Sequence, residues 1–371
     1  MTDTPRSVAD GDRDASSPDQ HRLSMDELRA FCAAVLAHVG LADGSATLVA
    51  DSLVDAEARG IRSHGVQRTR IYAERLRAGL LNKDGRPRSL RETEAMALVD
   101  ADNCIGHVGA KAGIDAAQER AAGMGVGVVG VRNSNHCGAL GYFARTVAEE
   151  GSIVIAASNA PPTMTYFGGR TSAVGTNPLC IAVPRGDGAP LVVDMATSAT
   201  ARGKIIVADQ QGEPIPDGWA IDKEGRPTTD AAAALEGAVL PFAGPKGSGL
   251  AMMIDLLCGA LLGGPTGHAI GNMYEDWTRP QEVGHLFIVL DADGWAGKDA
   301  FLSAVAAFAE EVHGLPPSAG FDRVLLPGEV EDAALEGARA GGLVLSDAVF
   351  TDLNQLAEDL AAPQRLNGGA A

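Results

Sequence analysis

Gly125-Val126-Gly127-Val128-Val129-Gly130 is the stretch on which the fold turns. By letter it matches GxGxxG. In dinucleotide-binding βαβ units a strand precedes the glycines and a helix opens at them. Here the order is reversed. A helical pattern, Val108 to Ala121, comes first, and the valines of the motif form a buried strand over Gly125 to Val131. The chain is therefore read as non-Rossmann.

Outward from this strand, period-2 and continuous apolar runs predict further strands. They lie in 91–101, at Ile153–Ala157, Leu179–Val183, Leu191–Val193 and Leu286–Leu290, with a short one near Leu343. Ser24 with Glu27 makes a capping box for a helix to Val39, and Asp43 or Ser45 caps a second to about Arg59. Gly60 breaks it, and Ser63 is placed to cap a third helix carrying His64, Arg68, Tyr72 and Arg75. Further helices are expected over Gly138–Glu150, Thr200–Ala208, Gly249–Leu262 and Phe301–His313, with two more after Pro327-Gly328-Glu329. Residues 158–178 read as an ordered loop, from Pro161, Pro162, Gly168, Gly169, Gly175 and Pro178. The organisation expected is a disordered tail (1–22), a helical unit (23–90 with 330–362), a central α/β region (91–329) and a flexible end (363–371).

With 371 residues, 46% of them hydrophobic, the chain can bury a large core. A net charge of -18 argues against nucleic acid and anionic lipid as partners. Five scattered cysteines lack zinc-site spacing, so no metal is expected and they read as reduced core thiols of a cytoplasmic protein. The apolar run Leu250 to Leu262, broken by Asp255, is shorter than the ~20 residues that span a bilayer.

Against the acidic background, Arg59 to Arg77 holds six arginines and one acid, Glu74. On a helix His64 and Arg68 would share a face. That joins a group titrating near neutral pH to a fork that grips a carboxylate. A helix N-terminus disfavours imidazolium, so His64 would need a carboxylate neighbour to act as an acid, and Asp194 is the candidate. The ordinary alternative is a solvated basic face. Three other motifs stand at strand ends or helix starts. Asn133-Ser134-Asn135-His136-Cys137-Gly138 follows the central strand. Its bland reading has Asn135 as a cap and His136 as a structural histidine. Gly244-Pro245-Lys246-Gly247-Ser248-Gly249 opens an apolar helix and suits an anion. Gly175-Thr176-Asn177-Pro178 and Asp194-Met195-Ala196-Thr197-Ser198 flank strands and read as turns and caps unless a ligand is present.

In this order, RSHGVQR (62–68), NSNHCGALGYFA (133–144), GTNPL (175–179), VDMATS (193–198), ARGKI (201–205), PDGWAIDKEGRPTTD (216–230), GPKGSGLAMMIDLL (244–257) and PGE (327–329) resemble the type-2 malate/L-lactate dehydrogenase family. The resemblance spans about 23 to 360. It implies an α/β fold with a mixed, largely antiparallel sheet, flanking helices and discontinuous domains. It also implies a homodimer and NAD or NADP as cofactor. Carried over, it makes His64 and His136 catalytic and Arg68 substrate-binding, and it puts the cofactor around Asp194, Met195 and Ala196, at Lys246 and Gly247, and at Gly328 and Glu329. Asp194 is expected in the catalytic set as the partner of His64, Ser63 and Tyr72 with the substrate, and Asn159, Thr176 and Asn177 with the cofactor. Cys137 stands where the family commonly has a bulky aromatic, which would widen the pocket.

The reaction implied is hydride transfer between nicotinamide and a small 2-hydroxy or 2-oxo acid. The alkoxide formed on reduction belongs to an acid of pKa near ~15.7, against about 6.5 for imidazolium, so a donor relieves on the order of 12 kcal/mol of mismatch. His64 is expected to supply it, or His136 if ureidoglycolate dehydrogenase is the better guide. Three other readings are a cyclic imino acid reductase, a dinucleotide-binding protein without turnover, and a large soluble α/β protein whose glycines serve turns only.

Overall fold

A computed structural model describes residues 20–370. In chain order the elements are β1 (Gln20–Leu23), α1 (Met25–His38), α2 (Asp43–Ala58), a 3-10 turn (Arg62–His64), α3 (Arg68–Arg77), β2 (Arg88–Glu92), β3 (Met96–Asp100), α4 (Gly106–Met124), β4 (Val126–Ser134), α5 (Leu140–Glu149) and β5 (Ser152–Ser158). Then come β6 (Leu179–Val183), β7 (Leu191–Met195), α6 (Arg202–Gln211), β8 (Ala220–Ile221), β9 (Pro227–Thr228), α7 (Ala231–Glu236), β10 (Ala238–Val239) and α8 (Pro245–Cys258). The chain finishes with β11 (Val283–Asp291), α9 (Lys298–His313), α10 (Glu329–Gly341), β12 (Leu343–Ser346), α11 (Asp347–Asp359) and β13 (Gly369–Ala370).

Seven strands form one sheet in the order β2-β3-β4-β11-β5-β6-β7. Only β3 and β4, joined through α4, run parallel; every other neighbouring pair is antiparallel. The expected mixed, largely antiparallel sheet is what forms.

The motif glycines serve backbone conformation and packing. Gly125 ends α4 in the left-handed region, at φ 78°. A Cβ on Gly127 would strike the Ala117 carbonyl of α4, and one on Gly130 would strike the Leu262 side chain. Helix α4 can lie this close to β4 only because Gly127 has no side chain. We expect Gly127→Ala to destabilise the protein by about 2–3 kcal/mol through overpacking. Gly123→Ala on the open side of α4, where a Cβ meets nothing within 4 Å, is its control. Thermal unfolding of the two variants checks this; equal melting temperatures would refute it.

One apolar core joins α1, α2, α3 and α11, through Phe31, Leu53, Tyr72, Leu353 and Leu356. A second lies under α4 and α5 against the large sheet, with Ile114, Phe143 and Phe287. Several terminal and helical expectations are corrected. The expected tail runs too far: Gln20–Leu23 pairs with β12, while residues 1–19 lie outside the described residues. At the other end the segment expected to be flexible is anchored by the buried Leu366 and by the pairing of β13 with β1; Ala371 is outside the described residues. Helix α8 starts at Pro245, and with the 3-10 turn after it makes an 18-residue apolar stretch, Pro245–Leu262, longer than the sequence suggested. It is 44% buried, and Asp255 in its middle accepts from Gly267 N–H at 2.9 Å.

Candidate active site

The site is built where the helical layer meets the end of β4. The expected helix start at Ser63 is not there. Arg62–His64 is a 3-10 turn, and α3 begins at Arg68 with no side-chain cap. Glu57 shapes this turn: its Oε2 accepts from Val66 N–H at 3.1 Å, and a Cβ on Gly65 would occupy the same space. Burial raises the Glu57 carboxyl to about 6.

The turn holds His64 against His136, which follows β4. Their rings stack at 5.4 Å with 20° between planes. His64 Nδ1 lies 3.0 Å from Ser63 Oγ. His136 Nδ1 lies 2.6 Å from Tyr72 Oη and accepts from Gly138 N–H at 3.3 Å. A backbone N–H can only donate, so Nδ1 of His136 is the unprotonated nitrogen. The proton of the neutral ring sits on Nε2 and is available as a donor. Asn135 caps nothing; its amide donates to Asn103 Oδ1 and the Cys104 carbonyl.

Arg68 completes the cluster. Its Nε donates to the Ser63 carbonyl at 2.6 Å, and its guanidinium lies 5.4 Å from the Tyr274 ring centroid. Arg59 and Arg70 are held by carboxylates. Arg68 has no carboxylate partner among the described residues. Burial, then the Arg68 charge, lowers the His64 pKa to about 4. The same two causes hold His136 well below its ordinary value. Both rings are neutral at pH 7. Behind them His107 is fully buried and depressed to about 3, first by burial. His285, lowered by burial to about 4, bridges Ser158 and Ser134 at 2.9 Å each.

Asp194 does not neighbour His64. Its Oδ2 accepts from Gly141 N–H at 2.7 Å in the first turn of α5, and burial raises it to about 6. A carboxylate on the end of β7 is drawn to the free N–H groups of the nearest helix start.

The residues expected at the cofactor divide. Asn159 is buried and bonded to Gly284 N–H and the Pro265 carbonyl, and Asn177 is buried between Ala160 N–H and the Ala251 carbonyl. Their amides tie distant loops together. Thr176 holds Thr197 through its carbonyl. Gly247 is a packing glycine, since a Cβ would strike the Phe242 carbonyl. Glu329 accepts from Leu326 N–H and lies 2.9 Å from His313 Nε2. Gly328, at φ 95°, packs beside Val192 of β7; Met195, exposed, ends that strand and Ala196 follows it. Lys246 is exposed in the first turn of α8 and has no partner among the described residues. An unpaired lysine at a helix N-terminus fits a phosphate.

A model of the malate/L-lactate dehydrogenase family matches residues 23–354. The chain belongs to this family. It is 38% identical over 329 residues to ureidoglycolate dehydrogenase (NAD(+)) of Escherichia coli K12, covering 89% of this chain and 94% of that one. The solved sulfolactate dehydrogenase of Methanocaldococcus jannaschii superposes with a TM-score of 0.86 at 34% identity, covering 92% and 97%. The delta1-piperideine-2-carboxylate reductase of Pseudomonas syringae gives 0.82 at 29%, covering 90% and 99%.

Cys137 is buried in the second core with its Sγ 3.9 Å from His285 Nδ1. Two site residues escaped the sequence reading, Tyr274 and Gln281. Gln281 Oε1 accepts from His136 N–H at 3.2 Å. Two large aromatics, Tyr274 and Trp277, within four residues of a chain that is only 4% aromatic were the available signal.

Proposed function

We propose that this NAD(P)-dependent oxidoreductase interconverts a small 2-hydroxy acid and its 2-oxo acid at the His64–Arg68–His136 cluster. The observation that carries this is Arg68. In a chain with 48 acidic side chains it has no carboxylate partner among the described residues, yet it stands beside two neutral histidines. Such a cation is suited to a carboxylate brought by the substrate.

Bound NAD(P) supplies the hydride chemistry, with Lys246 on its phosphate. Arg68 orients the acid through its terminal nitrogens. His136 donates from Nε2 to the substrate oxygen. His64 takes the hydroxyl proton in oxidation and returns it in reduction. A substrate carboxylate at Arg68 offsets the charge that depresses both rings, so acid binding raises their affinity for a proton.

The test is a spectrophotometric screen with NADH and NADPH against pyruvate, oxaloacetate, 2-oxo sugar acids and piperideine- or pyrroline-2-carboxylate, run across pH. For hydroxy-acid oxidation, kcat/KM should hold down to about pH 5 and fall below it, because the base form persists until the free-site pKa near 4. For ketone reduction it should drop about tenfold per pH unit above that pKa. No turnover of any acid would refute the reading. The same neutral histidines favour one alternative, reduction of a cyclic iminium carboxylate, which arrives already protonated. Its profile would follow imine protonation and not His64.

The family resemblance and the exposed row Met252, Met253, Leu256, Leu257 and Leu261 support a homodimer through α8. Asp255 within that stretch and the charge of -18 support a partner chain there over a membrane, and the charge also disfavours nucleic acid. Five buried, unpaired cysteines support a cytoplasmic location.

A further inference from the structure

Helix α3 presents Arg68, Tyr72 and Arg75 at positions i, i+4 and i+7 of one face. Arg68 and Tyr72 serve the histidine pair. Arg75 is fully buried and faces a different target. Its Nη1 donates to the carbonyls of Met273 at 3.0 Å and Asp276 at 2.9 Å, and its Nη2 to the carbonyl of Arg279 at 3.1 Å. The Trp277 ring centroid lies 5.6 Å from the guanidinium carbon. All four contacts belong to one loop, 271–281, whose ends are joined by Gly271 N–H to the Gln281 carbonyl at 3.0 Å. The segment is thus a compact Ω-type loop filled by a guanidinium from outside it.

The loop reaches back to the site at two points. Gln281 bonds the backbone of His136, and the half-exposed Tyr274 lays its ring against Arg68. Tyr274 is fixed inside the loop as well. Its N–H donates to Asn272 Oδ1 at 2.9 Å, and its carbonyl accepts from Trp277 Nε1–H at 3.0 Å.

We propose that loop 271–281 selects the substrate. Tyr274 is the wall that limits the group carried beyond the carboxylate on Arg68, and Arg75 is a positioning residue that holds this wall in place. This rests on the proposed function and deepens it. Three converging carbonyls repel one another unless a multi-donor cation sits among them, so removing the guanidinium strands buried acceptors. A lysine offers a compact point charge where a planar fork spans the three oxygens. With the loop released, the phenol ring no longer has a set distance from Arg68.

The experiment measures kcat/KM for straight-chain 2-oxo acids of increasing length, and for phenylpyruvate, in the wild type, Tyr274→Ala, Tyr274→Phe, Arg75→Gln and the Tyr274→Ala/Arg75→Gln double variant. Tyr274→Ala should raise the long-to-short ratio by about tenfold or more, the scale of a few methylenes in a pocket. Tyr274→Phe keeps the ring and should keep the ratio within about twofold. Arg75→Gln should move the ratio in the same direction, and the double variant no further than Tyr274→Ala alone, because the two act through one wall. A uniform loss across all acids in Tyr274→Ala, or an unchanged ratio in folded Arg75→Gln, overturns the proposal. Tyr274 is half-exposed, so its variants keep the test open if Arg75→Gln does not fold. Calorimetric titration with dicarboxylates from malonate to adipate separates the two readings. If the wild type turns over no 2-oxo acid but Tyr274→Ala changes the length dependence of binding, the loop assignment stands and the substrate assignment falls. If the wild type turns over the acids and Tyr274→Ala alters neither series, the loop assignment falls alone.

Discussion

His64→Ala lowers kcat by about 10²–10⁴, the range for removing a positioned general acid–base, while leaving NAD(P) affinity near wild type. The ring is neutral in the free site and its Nδ1 is engaged by Ser63 Oγ, so Nε2 is the nitrogen that exchanges a proton with substrate. His136 differs. Gly138 N–H and Tyr72 both address its Nδ1, which sets the Nε2–H tautomer and suits it to donate a hydrogen bond. His136→Ala is accordingly expected to lose about 10²-fold, the lower end for the loss of one donor. Steady-state kinetics with cofactor titration on both variants decides the assignment. If His136→Ala takes the larger loss and His64→Ala turns over like the wild type, the proton-transfer role passes to His136.

Arg68→Ala should lower kcat/KM by about 10²–10³, most of it in KM. Truncating one partner of a buried charge pair costs about 2–5 kcal/mol, and each 1.4 kcal/mol is tenfold. Arg68→Lys should recover only part, since an ammonium cannot make the two-point grip. A second consequence has a definite sign. Removing the guanidinium charge lets the histidine pKa values rise, His64 from about 4. In Arg68→Ala the pH limb of kcat/KM should therefore move upward, where a merely structural defect would leave it in place. Wild-type KM for every 2-oxo acid in this variant would remove the carboxylate from Arg68.

Much of this was legible in the residues. The valines around Gly127 show a strand where a phosphate loop would have to be, and β4 is that strand. His64 and Arg68 do meet, but not through the expected helix: the 3-10 turn ends at His64, Gly65 is extended and α3 begins only at Arg68. Partners distant in sequence were not legible. Nothing near Asp194 says that it will hold the start of α5 and not His64, and nothing near Asn159 or Asn177 says that their amides bond the backbone of distant loops.

Local pattern alone was enough for a strand over 125–131 and for the rejection of a Rossmann unit. Each depends on side-chain periodicity within a few residues, which the chain carries wherever it folds. Which cation stays unpaired, which nitrogen of His136 keeps its proton, and which loop covers Arg68 were decided only in three dimensions. Those outcomes depend on desolvation and on side chains such as Tyr72 and Arg75 meeting groups 64 and 204 residues away, and only the packed chain brings them within reach.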